Sequence, residues 1–88
     1  MKEKELEKIF KALGNRRRLL ILIFIKKRKK ANVGEISEAI KLSFKSTSRH
    51  LSILVSAGIL EKDQFGLFSI YSLSEEMGDM LKRILSSL

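Results

Sequence analysis

Leu6, Ile9, Phe10 and Leu13 stand at i, i+3, i+4 and i+7, the spacing of one face of an amphipathic helix over residues 3–13. Gly14 suits the C′ position that ends such a helix, and Asn15 is a good N-cap for the next. The second segment reads RRRLLILIFIKKRKK. Its seven consecutive apolar residues, 19–25, fit a buried strand as well as a buried helix, and periodicity does not decide between them. The Asn15 cap and the cations at the C-terminal end favour a helix, although Arg16, Arg17 and Arg18 in the first turn oppose its dipole. Around residues 31–33 the chain must turn, and a short strand fits there.

Val33, Ile36, Ala39 and Ile40 then share one face of a short helix, about 34–41. Ser43 can cap a further helix over 44–57, and Gly58 can close it. In that helix Phe44, Thr47, Leu51, Leu54 and Val55 fall on one side; Lys45, Arg49, Ser52 and Ser56 fall on the other. Ile53 belongs to neither stripe and is expected against a different neighbour. Residues 59–64 and 67–73 read as two strands, with Phe65-Gly66 as the hairpin turn. Ser74 caps a last helix, about 75–87, whose first turn carries Glu75 and Glu76. Met77, Leu81, Ile84 and Leu88 give that helix an apolar stripe.

The expected fold is therefore mainly α with a small β-hairpin (α+β), in the order ααααββα and within one domain, 1–88. Two short helices joined by a tight turn and followed by a hairpin make a helix-turn-helix, about 34–57, and a wing, about 59–73. A recognition helix must bury one face on its own domain and offer the other to the major groove. The offered face needs short polar side chains for close approach and a few cations for guanine edges and phosphates. Lys45, Ser46, Ser48, Arg49 and Ser52 match that need. Read alone, they also fit the polar face of an ordinary surface helix.

Composition sharpens the picture. The chain has 88 residues and a formal net charge of +8. Residues 1–30 hold twelve Lys/Arg and three Glu, a net of +9; residues 31–88 hold six Lys/Arg and seven Asp/Glu, a net of −1. Such a balance points to a polyanion, nucleic acid first and acidic membrane second. The basic runs 16–18 and 26–30 fit solvated helix ends, phosphate contact or long-range steering. A chain this short buries only ~60–65% of its unfolded surface, which favours a partner chain. Cysteine is absent and His50 is the single histidine, so disulfides, thiolate chemistry, Cys-ligated metals and two-His motifs are excluded. No metal site or cofactor is expected. With so few catalytic residue types, an enzyme is not expected either. No apolar run reaches the ~20 residues of a membrane helix, and the charged start MKEKELEK does not read as a signal peptide. A cytoplasmic, nucleoid-associated protein without membrane contact is expected.

ALGNRRRLLIL at 12–22, EISEAIKLSFKSTSRHLSIL at 35–54, SAGILEK at 56–62 and FGLFSIYSLS at 65–74 carry a resemblance to the ArsR-type winged-helix transcriptional repressors. That family's pattern is ALxxxxRxxIL, then an LSxSTVSRHLxxLxxAGL helix-turn-helix, then a glycine-led wing. The resemblance spans roughly residues 6–74. It implies a homodimer joined through the first and last helices, with Leu6, Ile9, Phe10, Leu13, Met77, Leu81, Ile84 and Leu88 at the interface. The alternative is that these stripes only close the protomer's core. The resemblance further implies double-stranded DNA as partner, a near-palindromic operator, and base-facing positions at Lys45, Ser46, Ser48 and Arg49. Lys41 is placed for phosphate, and Ser43, His50 and Lys62 complete the expected backbone contacts. His50 also fits a packed, hydrogen-bonded role beside the core. Thr47 takes a position the family usually fills with a buried Val and is expected in the core, its hydroxyl bonded back to the helix.

Two features depart from the family. The Cys-x-Cys pair through which many members sense metals has no counterpart here. The last helix offers only Glu75, Glu76 and Asp79, a poor set for a soft metal. The wing has Leu67 where the family often places Arg after the glycine. Phe65 and Leu67 make its tip apolar, which suits packing on a partner or a passive role. Sequence-specific regulation, repressive by the family resemblance, thus stands beside two other readings: a non-specific architectural DNA binder, and a winged helix used as a protein-interaction module. No effector is legible.

Overall fold

A computed structural model describes residues 2–86 in the order α1 (Glu3–Leu13), α2 (Arg16–Arg28), β1 (Ala31–Asn32), α3 (Val33–Ile40), α4 (Phe44–Ser56), β2 (Leu60–Phe65), β3 (Phe68–Leu73) and α5 (Glu75–Ser86). Every helix after the first begins where a side chain satisfies an otherwise unpaired N–H. Asn15 Oδ1 accepts from Arg18 N at 3.1 Å, and Ser43 Oγ accepts from Ser46 N at 3.1 Å. Ser74 Oγ accepts from Met77 N at 3.3 Å and donates to Gly58 O at 2.8 Å. Asn32 forms a full capping box: its Oδ1 accepts from Glu35 N and its own N–H donates to Glu35 Oε1, both at 2.9 Å. That box starts α3 at Val33, one residue earlier than the expected 34.

The ambiguous apolar run is helical. Ile21, Leu22 and Ile25 of α2 are completely buried, and α2 packs on α1, α3, α4, β3 and α5. Each such side chain contributes about 1.5–3 kcal/mol of burial, which outweighs the unfavourable arginines in the first turn, worth ~0.3–1 kcal/mol each. α2 is thus the axis on which the other elements are assembled. Leu51 and Leu54 of α4, Ile36 of α3 and Ile59 reach the same core.

The sheet is antiparallel with strand order β1-β3-β2. β1 pairs through Ala31 with Tyr71 and Asn32 with Ile70, so the short strand near residues 31–33 anchors the wing to the helix-turn-helix. This third strand is absent from the expected ααααββα order. Phe65 pairs with Phe68, so the hairpin turn is Gly66-Leu67 rather than Phe65-Gly66. Gly66 has φ +61°, a left-handed conformation that glycine adopts without penalty.

Several side chains depart from their expected places. Phe44 is 62% exposed, because the first residue of α4 lies beyond the core that Thr47, Leu51 and Leu54 enter. Ala39 is also exposed. Thr47 is fully buried as expected, but its Oγ1 has no hydrogen-bond partner and does not bond back to the helix. Gly14 ends α1 at φ −78°, not in the left-handed region; a Cβ there would meet Phe10 O at 3.3 Å.

Of the two stripes expected at a dimer interface, that of α1 is divided, and the described members of that of α5 are buried. Ile9, Met77 and Leu81 are buried within the protomer and offer no surface to a partner. Leu13 is half-buried against the same core. Leu6 and Phe10 are exposed, Phe10 to 62%, and Leu20 of α2 and Met80 of α5 join them as exposed large hydrophobics. α5 leans on α2, so Met77 and Leu81 close the core beneath it. Leu88 and the side chain of Ile84 lie outside the described residues.

Candidate nucleic-acid interface

α3 and α4 pack against each other across a turn of three residues, 41–43. Lys41 takes the left-handed conformation, φ 55° and ψ 51°. Its N–H donates to Glu38 O at 3.4 Å, and Leu42 N donates to Ser37 O at 3.0 Å. Ser43 then restarts the chain as the cap of α4. The side chains of Lys41 and Ser43 are exposed at this turn.

α4 has two unlike faces. Thr47, Leu51 and Leu54 are buried. Lys45, Arg49 and Ser52 are exposed, and Ser46 and Ser48 are half-buried between them. The five side chains singled out from sequence therefore lie together along the outer half of one helix. Short hydroxyls alternate with long cations there, so a flat or convex surface can approach the helix closely.

His50 lies half-buried at the edge of this face. Its Nδ1 is 3.2 Å from Arg18 Nη1. A guanidinium only donates, so Nδ1 accepts and the ring is neutral with its proton on Nε2. Burial holds the His50 pKa below its ordinary value, and the charges of Arg18, Arg17 and Arg49 lower it further. Arg18 also donates through Nε to Ala12 O at 2.6 Å and through Nη2 to Lys11 O at 3.2 Å. One guanidinium thus closes the C-terminal end of α1 and fixes α4 beside it. Sequence reasoning gave Arg18 no role, although it occupies the arginine of the ALxxxxRxxIL pattern.

The two basic runs are separated. Arg16 and Arg17 are exposed at the start of α2, beside α1 and α4. Lys27, Arg28, Lys29 and Lys30 are exposed at its other end, about 18 Å away along a 13-residue helix. There Arg28 Nη2 pairs with Glu35 Oε2 at 2.8 Å and its guanidinium lies 5.4 Å from the centre of the Phe24 ring. The Asn32 N–H bond, with Arg28 adding to it, holds the Glu35 carboxyl below its ordinary pKa despite partial desolvation. Residues 16–18 belong spatially with the exposed face of α4; residues 26–30 do not.

The wing is apolar and acidic. Leu67 is 97% exposed at its tip, with Phe65 and Phe68 exposed beside it. Lys62 is exposed on β2 between Glu61 and Asp63, which are exposed too. Cysteine is absent from the sequence, and among the described residues no group of three or more His, Asp or Glu gathers to hold a metal ion. No described helix is long and apolar enough to cross a membrane.

Comparison with known proteins gives this geometry a lineage. Residues 15–62 match the family model of bacterial regulatory proteins of the arsR family. The arsenical resistance operon repressor of Bacillus subtilis (strain 168) is 34% identical over 70 residues, covering 80% of this chain and 67% of the relative. Among solved structures, HlyU from Vibrio cholerae N16961 superposes with a TM-score of 0.78 at 29% identity, covering 96% of this chain and 97% of HlyU. The homodimeric winged helix-turn-helix DNA-binding domain of Mb0332 from Mycobacterium bovis does so with a TM-score of 0.84 at 26% identity, covering 96% of this chain and 77% of that one. The chain belongs to the arsR family of bacterial regulatory proteins and has the winged helix-turn-helix fold.

Proposed function

We propose that this protein is a sequence-specific double-stranded-DNA-binding transcriptional regulator, a repressor that acts as a homodimer on a near-palindromic operator. In this reading residues 1–88 form one DNA-binding domain that works in the cytoplasm, on the nucleoid. The observation that carries it is the division of α4: Thr47, Leu51 and Leu54 inside, Lys45, Arg49 and Ser52 outside. The outer face enters the major groove. Arg49 reads a guanine edge, while Lys45, Ser46, Ser48 and Ser52 line the bases. Lys41 and Ser43 hold phosphates at the turn, and Lys62 does so from the wing. His50 holds Arg18 through Nδ1 and donates from its Nε2–H to the DNA backbone.

Exposed Leu6, Phe10, Leu20 and Met80 support a homodimer, because large apolar side chains on three helices favour burial against a second copy. Membership of a regulator family and the homodimeric state of the Mb0332 domain support the same assembly. Two α4 helices related by a dyad would enter successive major grooves, with half-sites ~34–36 Å apart. Selection from a random duplex library at ~150 mM salt, near physiological ionic strength, tests the reading. An enriched inverted repeat is expected; retention without a consensus would indicate an architectural binder instead.

The wing favours one competing reading. Its exposed Phe65, Leu67 and Phe68, flanked by Glu61 and Asp63, suit a protein partner better than a phosphate backbone. A winged helix used only as an interaction module would retain no duplex in the same selection.

A further inference from the structure

A cleft of about 430 Å³ runs between α1 and α4, lined by Lys8, Lys11 and Ala12 on one side and Arg49, Ser52 and Ile53 on the other, with Arg18 at its end. Its size is that of a small-molecule site. Its floor is apolar: Ala12 is buried, and Ile53 of α4 is 38% exposed. Its rim is cationic, with Lys8, Lys11, Arg18 and Arg49 and no carboxylate among the lining residues. The nearest acid on α1, Glu7, reaches only Lys11, at 3.9 Å and in full solvent.

The cleft is distinct from the exposed apolar face of α1. At 100° per residue, Lys8 projects roughly 180° and Lys11 roughly 120° from the direction of Leu6 and Phe10 taken together, on another flank of the helix. A second copy covering Leu6 and Phe10 therefore leaves the cleft open. Neither bare phosphate nor a neutral hydrocarbon matches this lining. Phosphate would have no use for the apolar floor, and a hydrocarbon would face a rim of four cations, of which only Lys11 has a carboxylate near it.

We infer that this cleft binds a small organic anion with a short apolar tail, an alkyl or aryl carboxylate, and that binding draws Arg49 away from DNA. The tail lies on Ile53, excluding water from it. The carboxylate is held at the rim by Lys8, Lys11, Arg49 and the unused donors of Arg18, as charge-assisted hydrogen bonds require. Arg18 is already fixed by Ala12 O, Lys11 O and His50, so it presents those donors without further ordering. The site would give the regulator a releasing signal that uses neither metal nor thiol.

The effect on DNA rests on the assignment of Arg49 proposed above; occupancy of the cleft does not, and is measured without DNA. Octanoate is the probe, titrated into the full chain by calorimetry up to about 1 mM, the weak end of small-molecule affinity, with amide shifts locating it. Saturable binding that moves amides of α1 and α4 is expected. Inorganic phosphate and 1-octanol should each bind at least about tenfold more weakly, as either half of the recognition alone would. Ile53→Asp should weaken octanoate about tenfold or more by placing a carboxylate on the floor. If that variant melts early, Lys11→Glu, at a fully solvated position, carries the same test. Absence of octanoate binding, or equal binding to the parent and both variants, would overturn the site. Saturating octanoate should then lower the parent's affinity for its selected duplex several-fold; unchanged affinity with the cleft occupied would overturn the link to Arg49.

Discussion

Arg18 Nη1 donates to His50 Nδ1 across 3.2 Å, and this bond ties the start of α2 to the edge of α4. It exists only while the ring is neutral. Protonation would remove the acceptor and set a cation beside Arg17, Arg18 and Arg49. Burial first, and then the charges of Arg18, Arg17 and Arg49, hold the His50 pKa of the folded state below the ordinary 6.5. Between that lowered value and 6.5 the unfolded chain binds more protons, so stability rises with pH through this window. It is fully present above 6.5 and is lost as pH falls. Glu35 adds a second loss below its ordinary 4.5, because its lowered pKa reflects bonds made only in the folded state. Urea midpoints recorded against pH should show both steps. His50→Gln should flatten the upper one and leave the lower; an unchanged upper step would locate its origin elsewhere.

Thr47 has the opposite relation to its surroundings. Its hydroxyl is buried with no partner. An unmade hydrogen bond of that kind costs about 1–3 kcal/mol. Thr47→Val keeps the shape and removes the polar atom, so it should stabilise the protein by about 1 kcal/mol. A lower urea midpoint for the variant would mean that the hydroxyl is satisfied in solution.

The exposed part of the α1 stripe and the buried part of the α5 stripe separate assembly from folding. Phe10→Glu changes an exposed side chain and should leave the fold intact while shifting sedimentation from dimer to monomer. Leu81→Ala creates a cavity in the protomer and should cost about 2–5 kcal/mol of stability. A Phe10→Glu protein that remains a dimer would show that the pairing surface lies off this part of α1.

The wing tip carries exposed apolar side chains and no cation: Phe65, Leu67 and Phe68. Phe65→Ala with Leu67→Ala should therefore change duplex affinity by no more than about twofold, the scale of an ordinary surface change. Loss of binding by a folded dimer would make the wing a principal DNA contact.

Much of this was legible in the sequence, because caps and periodicity are local. Asn15, Ser43 and Ser74 mark three helix starts correctly. The 33–40 helix was offset because Asn32-x-x-Glu35, a capping-box pattern, went unread. The turn expected at Phe65-Gly66 lies one residue later, at Gly66-Leu67, where glycine takes the first central position that a two-residue hairpin turn favours. The exposed residues of α4 follow from helical spacing. What spacing cannot give is which neighbour covers a residue: Phe44 and Ile9 share their stripes with residues of the opposite fate. Nor can it bring together Arg18 and His50, 32 positions apart.

The central claim is that the exposed face of α4 reads base sequence. Arg49→Ala tests it most directly, by anisotropy against the selected duplex and a scrambled one at matched salt, beside Lys41→Ala as the backbone control. The expected result is that Arg49→Ala loses about 1–3 kcal/mol on the selected duplex and little on the scrambled one. Lys41→Ala should weaken both alike and reduce the salt slope by about one. Equal loss on both duplexes for Arg49→Ala would contradict base reading by Arg49 and reduce this face to a phosphate contact.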